Sequence, residues 1–136
     1  MQRNRIFVVF LLLLMATACS QTSPSERVAK TFLQTYYRGA NLQEALKITT
    51  GLASHKIEQE VKLGGGQATL REKDDRKFTI QKSEKYPSQI APLRQELFYH
   101  IAIQVSSDET FERTVRITLE REGENKPWKV ANFVEV

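Results

Sequence analysis

The apolar positions change their period twice along the chain. They run without interruption from Ile6 to Met15, recur at helical spacing from Val28 to Leu63, and alternate with polar residues from Phe78 onward. The first run follows Met1-Gln2-Arg3-Asn4-Arg5, which carries two basic residues and no acid, and precedes the small residues Ala16-Thr17-Ala18. A basic start, a short apolar centre and a small-residue end make an export signal. Its ten apolar residues would rise only ~15 Å as a helix, about half of a hydrocarbon core. Residues 1–18 therefore read as a cleaved signal rather than a lasting span.

The middle segment predicts three helices. Ser23-Pro24-Ser25-Glu26 supplies a capping Ser, a Pro at the first helical position and a Glu three residues after the cap, the capping-box arrangement. Val28, Phe32, Leu33 and Tyr36 then share one face, and Gly39 is placed to close the helix in a left-handed conformation. Asn41-Leu42-Gln43-Glu44 repeats the start signal, and Leu42, Ala45, Leu46 and Thr49 supply a second apolar stripe. Gly51 interrupts it. Leu52, Ile57, Val61 and Leu63 predict a third helix from about Ser54, ended by Gly64-Gly65-Gly66. That triple glycine lacks both the Lys-Ser/Thr and the preceding strand of a phosphate-binding loop.

Beyond the glycines the period is two, which predicts strands. Phe78 and Ile80 mark the first; Leu97, Tyr99, Ile101, Ile103 and Val105 share one face of the second, with Phe98, His100, Ala102 and Gln104 on the other. Ser106–Glu109 reads as a hairpin connection. Phe111, Val115, Ile117 and Leu119 face the core from the third strand, while Glu112, Thr114, Arg116, Thr118 and Glu120 face water. After the turn Glu122–Pro127, Trp128, Val130, Val134 and Val136 mark the last strand. Three helices followed by a meander of four strands predict an α+β domain over residues 26–136, with the helices on one face of a twisted antiparallel sheet. Phe32, Tyr36, Leu46, Leu97, Ile101, Val115, Ile117 and Trp128 are its expected core.

Composition narrows the possibilities. A length of 136 residues suits a single domain, and one Cys excludes an intramolecular disulfide or a Cys-rich zinc site. The formal charge of +4 falls to +2 once Arg3 and Arg5 leave with the signal, so a nucleic-acid partner is not expected. Arg71–Lys77 alternates in sign and reads as a solvated run. The histidines, His55 and His100, are far apart and no cysteine accompanies them, so neither a metal nor another cofactor is expected.

Two resemblances add to this. Ala16-Thr17-Ala18-Cys19 resembles the lipobox of bacterial lipoproteins, with Ala16 standing where Leu is usual. The resemblance implies that the Cys19 thiol is acylated, that the signal is cut before it, and that the new amino terminus receives another acyl chain. Cys19 and the polar tether Ser20–Ser25 would then join the domain to a membrane. Ser20, in place of the Asp that favours inner-membrane retention, implies the periplasmic side of the outer membrane in a diderm organism. Further on, Val28-Ala29-Lys30-Thr31-Phe32-Leu33 with Tyr36-Tyr37, Asn41–Leu46 and Trp128-Lys129-Val130 resemble the NTF2-like, or cystatin-like, superfamily, in its small lipoproteins without an assigned function. Such domains wrap a curved sheet around the first helix as a cone able to hold a pocket.

Enzymes of that superfamily place an Asp, Glu or His beside a Tyr inside the cone, as base and hydrogen-bond donor. Here the alternation turns Tyr99 inward and His100 outward, and puts no acid inward. Tyr36, Tyr37, Tyr99 and Asn132 are the candidates for a pocket mouth; Glu112, Thr114, Arg116, Thr118 and Glu120 form the candidate interaction face. No Gly-x-Ser-x-Gly motif is present, and no catalytic residue is assigned. The expectation is a lipid-anchored, non-enzymatic module of the cell envelope that binds an envelope protein or a small ligand, with a homodimer through the sheet as one arrangement. The alternative is a small-molecule enzyme with an acid or base in the cone.

Overall fold

A computed structural model describes residues 22–39, 41–64, 77–83, 90–104 and 106–136. The signal, Cys19, Gly65 and Gly66, Arg71–Arg76 and Val105 lie outside the described residues. Helix α1 spans Pro24–Leu33, and the Ser23 hydroxyl accepts the Glu26 N–H at 3.3 Å as the Ser-Pro-Ser-Glu pattern requires. Only half of the capping box forms. The Glu26 carboxylate turns away to Lys82 at 2.7 Å and ties the helix start to the sheet. Nearby, the buried Ser25 hydroxyl donates to the Gln95 side-chain carbonyl.

The helix does not close at a left-handed Gly39. It widens into a π-helical turn over Gln34–Arg38, in which the Gly39 N–H donates to the Gln34 carbonyl at 2.9 Å, and Gly39 keeps a φ of −83°. Glycine serves there by its size, since a Cβ would come within 3.1 Å of the Thr35 carbonyl oxygen. Helix α2 spans Leu42–Leu46, with the Asn41 side chain accepting the Glu44 N–H at 3.2 Å. Ile48–Thr50 then run beside Val130, where backbone bonds of 2.9 Å cover one sheet edge. Helix α3 spans Gly51–Lys62, starting at Gly51 rather than near Ser54. Thr50 is extended, and Gly51 at φ 55° makes the turn from that bridge into the helix. Gly64, at φ 79°, follows its C-terminus as a glycine stop should.

The strands are β1 Phe78–Lys82, β2 Ile90–Ala91, β3 Arg94–Gln104, β4 Thr110–Glu120 and β5 Lys129–Glu135, all antiparallel. Their order is β1-β3-β4-β5, with the two-residue β2 also on β3. This is the expected four-strand sheet with one short addition. The alternation holds in the long strands: Leu97, Tyr99, Ile101, Val115, Ile117 and Leu119 are fully buried, and α1 and α3 set Ala29, Phe32, Leu33 and Ile57 against them. Tyr36, Leu46 and Trp128, expected in the core, are half-buried at its margin.

β5 departs from the reading. Its register shifts opposite Thr118 and Leu119, so that Val130 faces Leu119 and Phe133 faces Ile117, with Ala131 left over between them. A bulge moves the period by one position. Val130, Ala131 and Phe133 are therefore buried, Val136 is 63% exposed, and Trp128 precedes the strand. Thr118 is also buried, beside its register partners Glu96 and Asn132, so the outer face of β4 is not wet throughout.

Truncating the central ring tests this packing. Phe32→Ala should cost about 3–5 kcal/mol, read as a lowered urea midpoint with an unchanged slope. Gly51→Ala should cost about 1–2 kcal/mol through its left-handed backbone alone, because the added Cβ meets only ordinary contact with Ala131 at 3.6 Å.

Candidate functional site

The π-helical turn is where polar chemistry gathers. It brings the adjacent residues Tyr36 and Tyr37 edge to face, with centroids 4.8 Å apart. Tyr36 also stacks on Phe32 at 5.4 Å and tilts against Phe133 at 4.9 Å, so the ring is held on three sides. Such wide turns recur at functional sites. The Tyr36 hydroxyl donates to the Glu60 carboxylate on α3, and the Tyr37 phenol lies near the Glu135 carboxylate at the end of β5. Arg113 completes the row, 3.5 Å from Glu135 and 5.8 Å from the Phe111 ring.

Burial pushes both phenols well above the ordinary tyrosine range, and the neighbouring carboxylates push further, Glu60 at Tyr36 and Glu135 at Tyr37. Phenols so placed stay protonated and donate; they do not act as bases. Lys56 stands on the same side of α3 as Glu60. It donates to the Asn132 side chain at 2.9 Å and to the Phe133 carbonyl at 2.7 Å, and lies 5.0 Å from the Phe133 ring. Asn132 is thus occupied as an acceptor, and a carbonyl on the β5 edge is capped.

Tyr99 lies apart from this group. It is fully buried between Leu97 and Ile101 on the inward face of β3, and its hydroxyl has no hydrogen-bond partner among the described residues. Desolvation, with a smaller contribution from the Glu26 charge, raises its pKa as well. The structure therefore joins Tyr36 with Tyr37, places Asn132 next to them through Lys56 and Phe133, and leaves Tyr99 inside the core. On the outer sheet face, Glu112 lies 3.8 Å from His100, Arg116 4.0 Å from Glu96, and Glu120 3.2 Å from Arg94. These are exposed, loosely held pairs. Thr114 is half-buried among them, and Thr118 is withdrawn.

Two hollows among the described residues lie at the end where α1 begins. One hollow of about 360 Å³ is lined by Thr50, Glu122, Arg121, Lys126 and Lys129, and another of about 580 Å³ by Pro24, Arg27, Val28, Arg121 and Trp128. Neither reaches the inward face of the sheet, where Leu97, Tyr99 and Ile101 are fully buried and the polar Lys82, Gln95, Arg113 and Glu135 lie toward the strand ends. Among the described residues no group of His, Cys, Asp and Glu could hold a metal ion, and no helix is long and apolar enough to cross a membrane.

Sequence reading missed Glu60, Glu135, Arg113 and Lys56. The spacing of Lys56 and Glu60 on one helix face was a usable signal; the β5 bulge that places Phe133 beneath Lys56 was not.

No protein-family model matches the chain, and no curated protein matches it. Among solved structures, the VirB8 protein of Agrobacterium tumefaciens is similar, with a TM-score of 0.50 and 11% identity over 84% of this chain and 93% of that one. At that identity the likeness concerns the fold. It supports an α+β domain of the NTF2-like class, as the sequence resemblance implies.

The raised phenols have a consequence for stability. A group whose folded pKa lies above its unfolded value stabilises the fold below the unfolded pKa and loses that contribution as pH rises through the folded one. Stability should therefore hold up to the ordinary tyrosine value of 10.0 and fall above it. The Tyr36→Phe/Tyr37→Phe variant should fall less steeply over that range in pH-dependent urea unfolding.

Proposed function

We propose that this chain is a lipid-anchored, non-enzymatic interaction module of the bacterial envelope. The observation that carries the non-enzymatic part is the filled cone. Phe32, Leu33 and Ile57 form one buried cluster with Leu97, Ile101, Ile117 and Phe133, the inward Gln95 side chain is taken up by the Ser25 hydroxyl, and the Tyr99 hydroxyl is a donor that stays protonated. A general base needs access to substrate as well as a suitable pKa, and this interior offers neither.

The anchor is Cys19, at the end of the export signal and just before the polar tether. The contact surface is best sought at the π-turn end. Phe111 is 43% exposed beside Arg113, which pairs with Glu135 at the end of β5. Tyr and Arg supplemented by Phe are the side chains that concentrate binding energy in protein interfaces. The outer sheet face, with Glu112, Arg116 and Glu120, suits pairing with a second copy or a rim contact. Its exposed ion pairs contribute little to stability and so are free to exchange partners.

Two measurements test this reading. Intact mass of the protein taken from cells should show a chain that begins at Cys19 and carries acyl chains, with neither feature in Cys19→Ser. An unacylated wild-type terminus would remove the anchor. Crosslinking in intact cells should capture a partner with the wild-type chain and lose at least about tenfold of it with Tyr37→Ala/Arg113→Glu, the loss expected for a pair of interface anchors. Undiminished capture would move the contact elsewhere.

A further inference from the structure

We infer that the end of the domain at which α1 begins is a membrane-facing surface that rests on anionic phospholipid headgroups, an inference that builds on the anchoring reading of Cys19. Ser23, the cap of α1, follows Cys19 by four residues, and four extended residues span at most ~14 Å. With acyl chains on Cys19, the first turn of α1 stays within about 14 Å of the anchor. The surface around that turn is therefore the part of the domain held nearest the bilayer.

What surrounds it is basic and partly apolar. The turn between β4 and β5 and the turn before β3 converge there on Arg121, whose guanidinium donates to the Pro92 carbonyl at 3.0 and 2.8 Å and to the Glu124 carbonyl at 2.8 Å. It also lies 4.6 Å from the Trp128 ring. These partners are neutral, so Arg121 is fixed in place with its charge undiminished. Arg27, Lys126 and Lys129 are exposed on the same surface and have no ion-pair partner among the described residues. Glu120 is neutralised by Arg94 at 3.2 Å. Glu122 and Glu124 remain, fewer than the cations around them.

The surface has an apolar component as well. Leu93 is 41% exposed, its carbonyl accepting the Arg121 N–H at 3.1 Å, and Trp128 and Val28 line the larger hollow with Pro24. Trp beside basic side chains is a usual composition at the level of lipid headgroups. The two hollows adjoin through Arg121, Lys126 and Pro127, so the surface is concave and a headgroup phosphate can enter between the cations. Each Lys or Arg near an anionic membrane strengthens binding by roughly fivefold. A small excess of cations is therefore too weak to anchor the domain, but it is enough to orient one that is already tethered. The π-turn end, with Tyr37 and Phe111, would then point away from the bilayer.

Trp128 is the only tryptophan of the chain and reports on this surface directly. Protein purified from cells is mixed with vesicles of phosphatidylcholine alone or with one part in four phosphatidylglycerol. The anionic vesicles should shift Trp128 emission to the blue and allow quenching by lipids brominated near the headgroup, and 0.5 M salt should reverse both. Lys126→Glu/Lys129→Glu, both exposed positions, should weaken the response to anionic lipid by about 25-fold or more, the product of two fivefold losses, without changing the circular dichroism. Emission indifferent to phosphatidylglycerol overturns the proposal, as does an equal shift with inorganic phosphate alone. Mass spectrometry of the same preparation separates the two readings. An unacylated chain that keeps the Trp128 response removes the anchor and leaves the surface, whereas an acylated chain without it removes the surface only.

Discussion

The placement of α1 in the concave face of the sheet depends on Phe32, the ring on which the other elements close. It is fully buried, stacks on Tyr36 one turn further along the helix, and meets Phe133 at 4.9 Å. Burying such a ring contributes roughly 2–3 kcal/mol, and each aromatic pair about 1 kcal/mol beyond the area itself. Three local irregularities serve that contact. The π-helical turn sets Tyr36 and Tyr37 over the end of β5, the bulge turns Phe133 inward, and the bridge at Thr49 brings α3 across to cover the β5 edge.

The same packing decides what the domain can do. A sheet curved around a helix becomes a pocket only where the helix leaves part of the curve uncovered. Here Ala29, Phe32 and Leu33 from α1 and Ile57 from α3 occupy it. Apart from the outer sheet face, which carries pairs such as His100 with Glu112 and Arg116 with Glu96, the ionisable groups gather toward the two ends. One end holds phenols beside carboxylates; the other holds cations with fewer acids. At the basic end, Glu120 and Glu122 line the smaller hollow beside Arg121, Lys126 and Lys129. Fold alone does not separate an enzyme from a binding module, since one architecture serves both.

Much of the fold was legible in the order of periods. The alternation in β3 and β4 named Leu97, Ile101, Val115 and Ile117 correctly because both strands are regular, and the caps at Ser23 and Asn41 located two helix starts. What escaped was set by geometry that a period does not encode. Gly39 was read as left-handed from its position, whereas the chain needed it for a close approach to Thr35. Trp128, Val130, Val134 and Val136 mark the last strand by a period of two, which the bulge breaks, so that Ala131 and Phe133 are buried and Trp128 lies at the margin of the core. The candidate tyrosines were visible as residue types, but Glu60 and Glu135 reach Tyr36 and Tyr37 from elements distant in sequence. The basic end was missed for the same reason, since Arg27 and Lys126 meet only through the fold.

The central claim is that, among the described residues, side chains of α1 and α3 fill the face of the sheet that they cover. The most direct measurement is a methyl-resolved NMR titration of the labelled protein with an apolar fluorophore such as anilinonaphthalene sulfonate. The account predicts that the methyl signals of Leu97, Ile101, Ile117 and Leu119 stay unmoved at saturating probe. Saturable shifts confined to those inward methyls would reveal an open cone and contradict it.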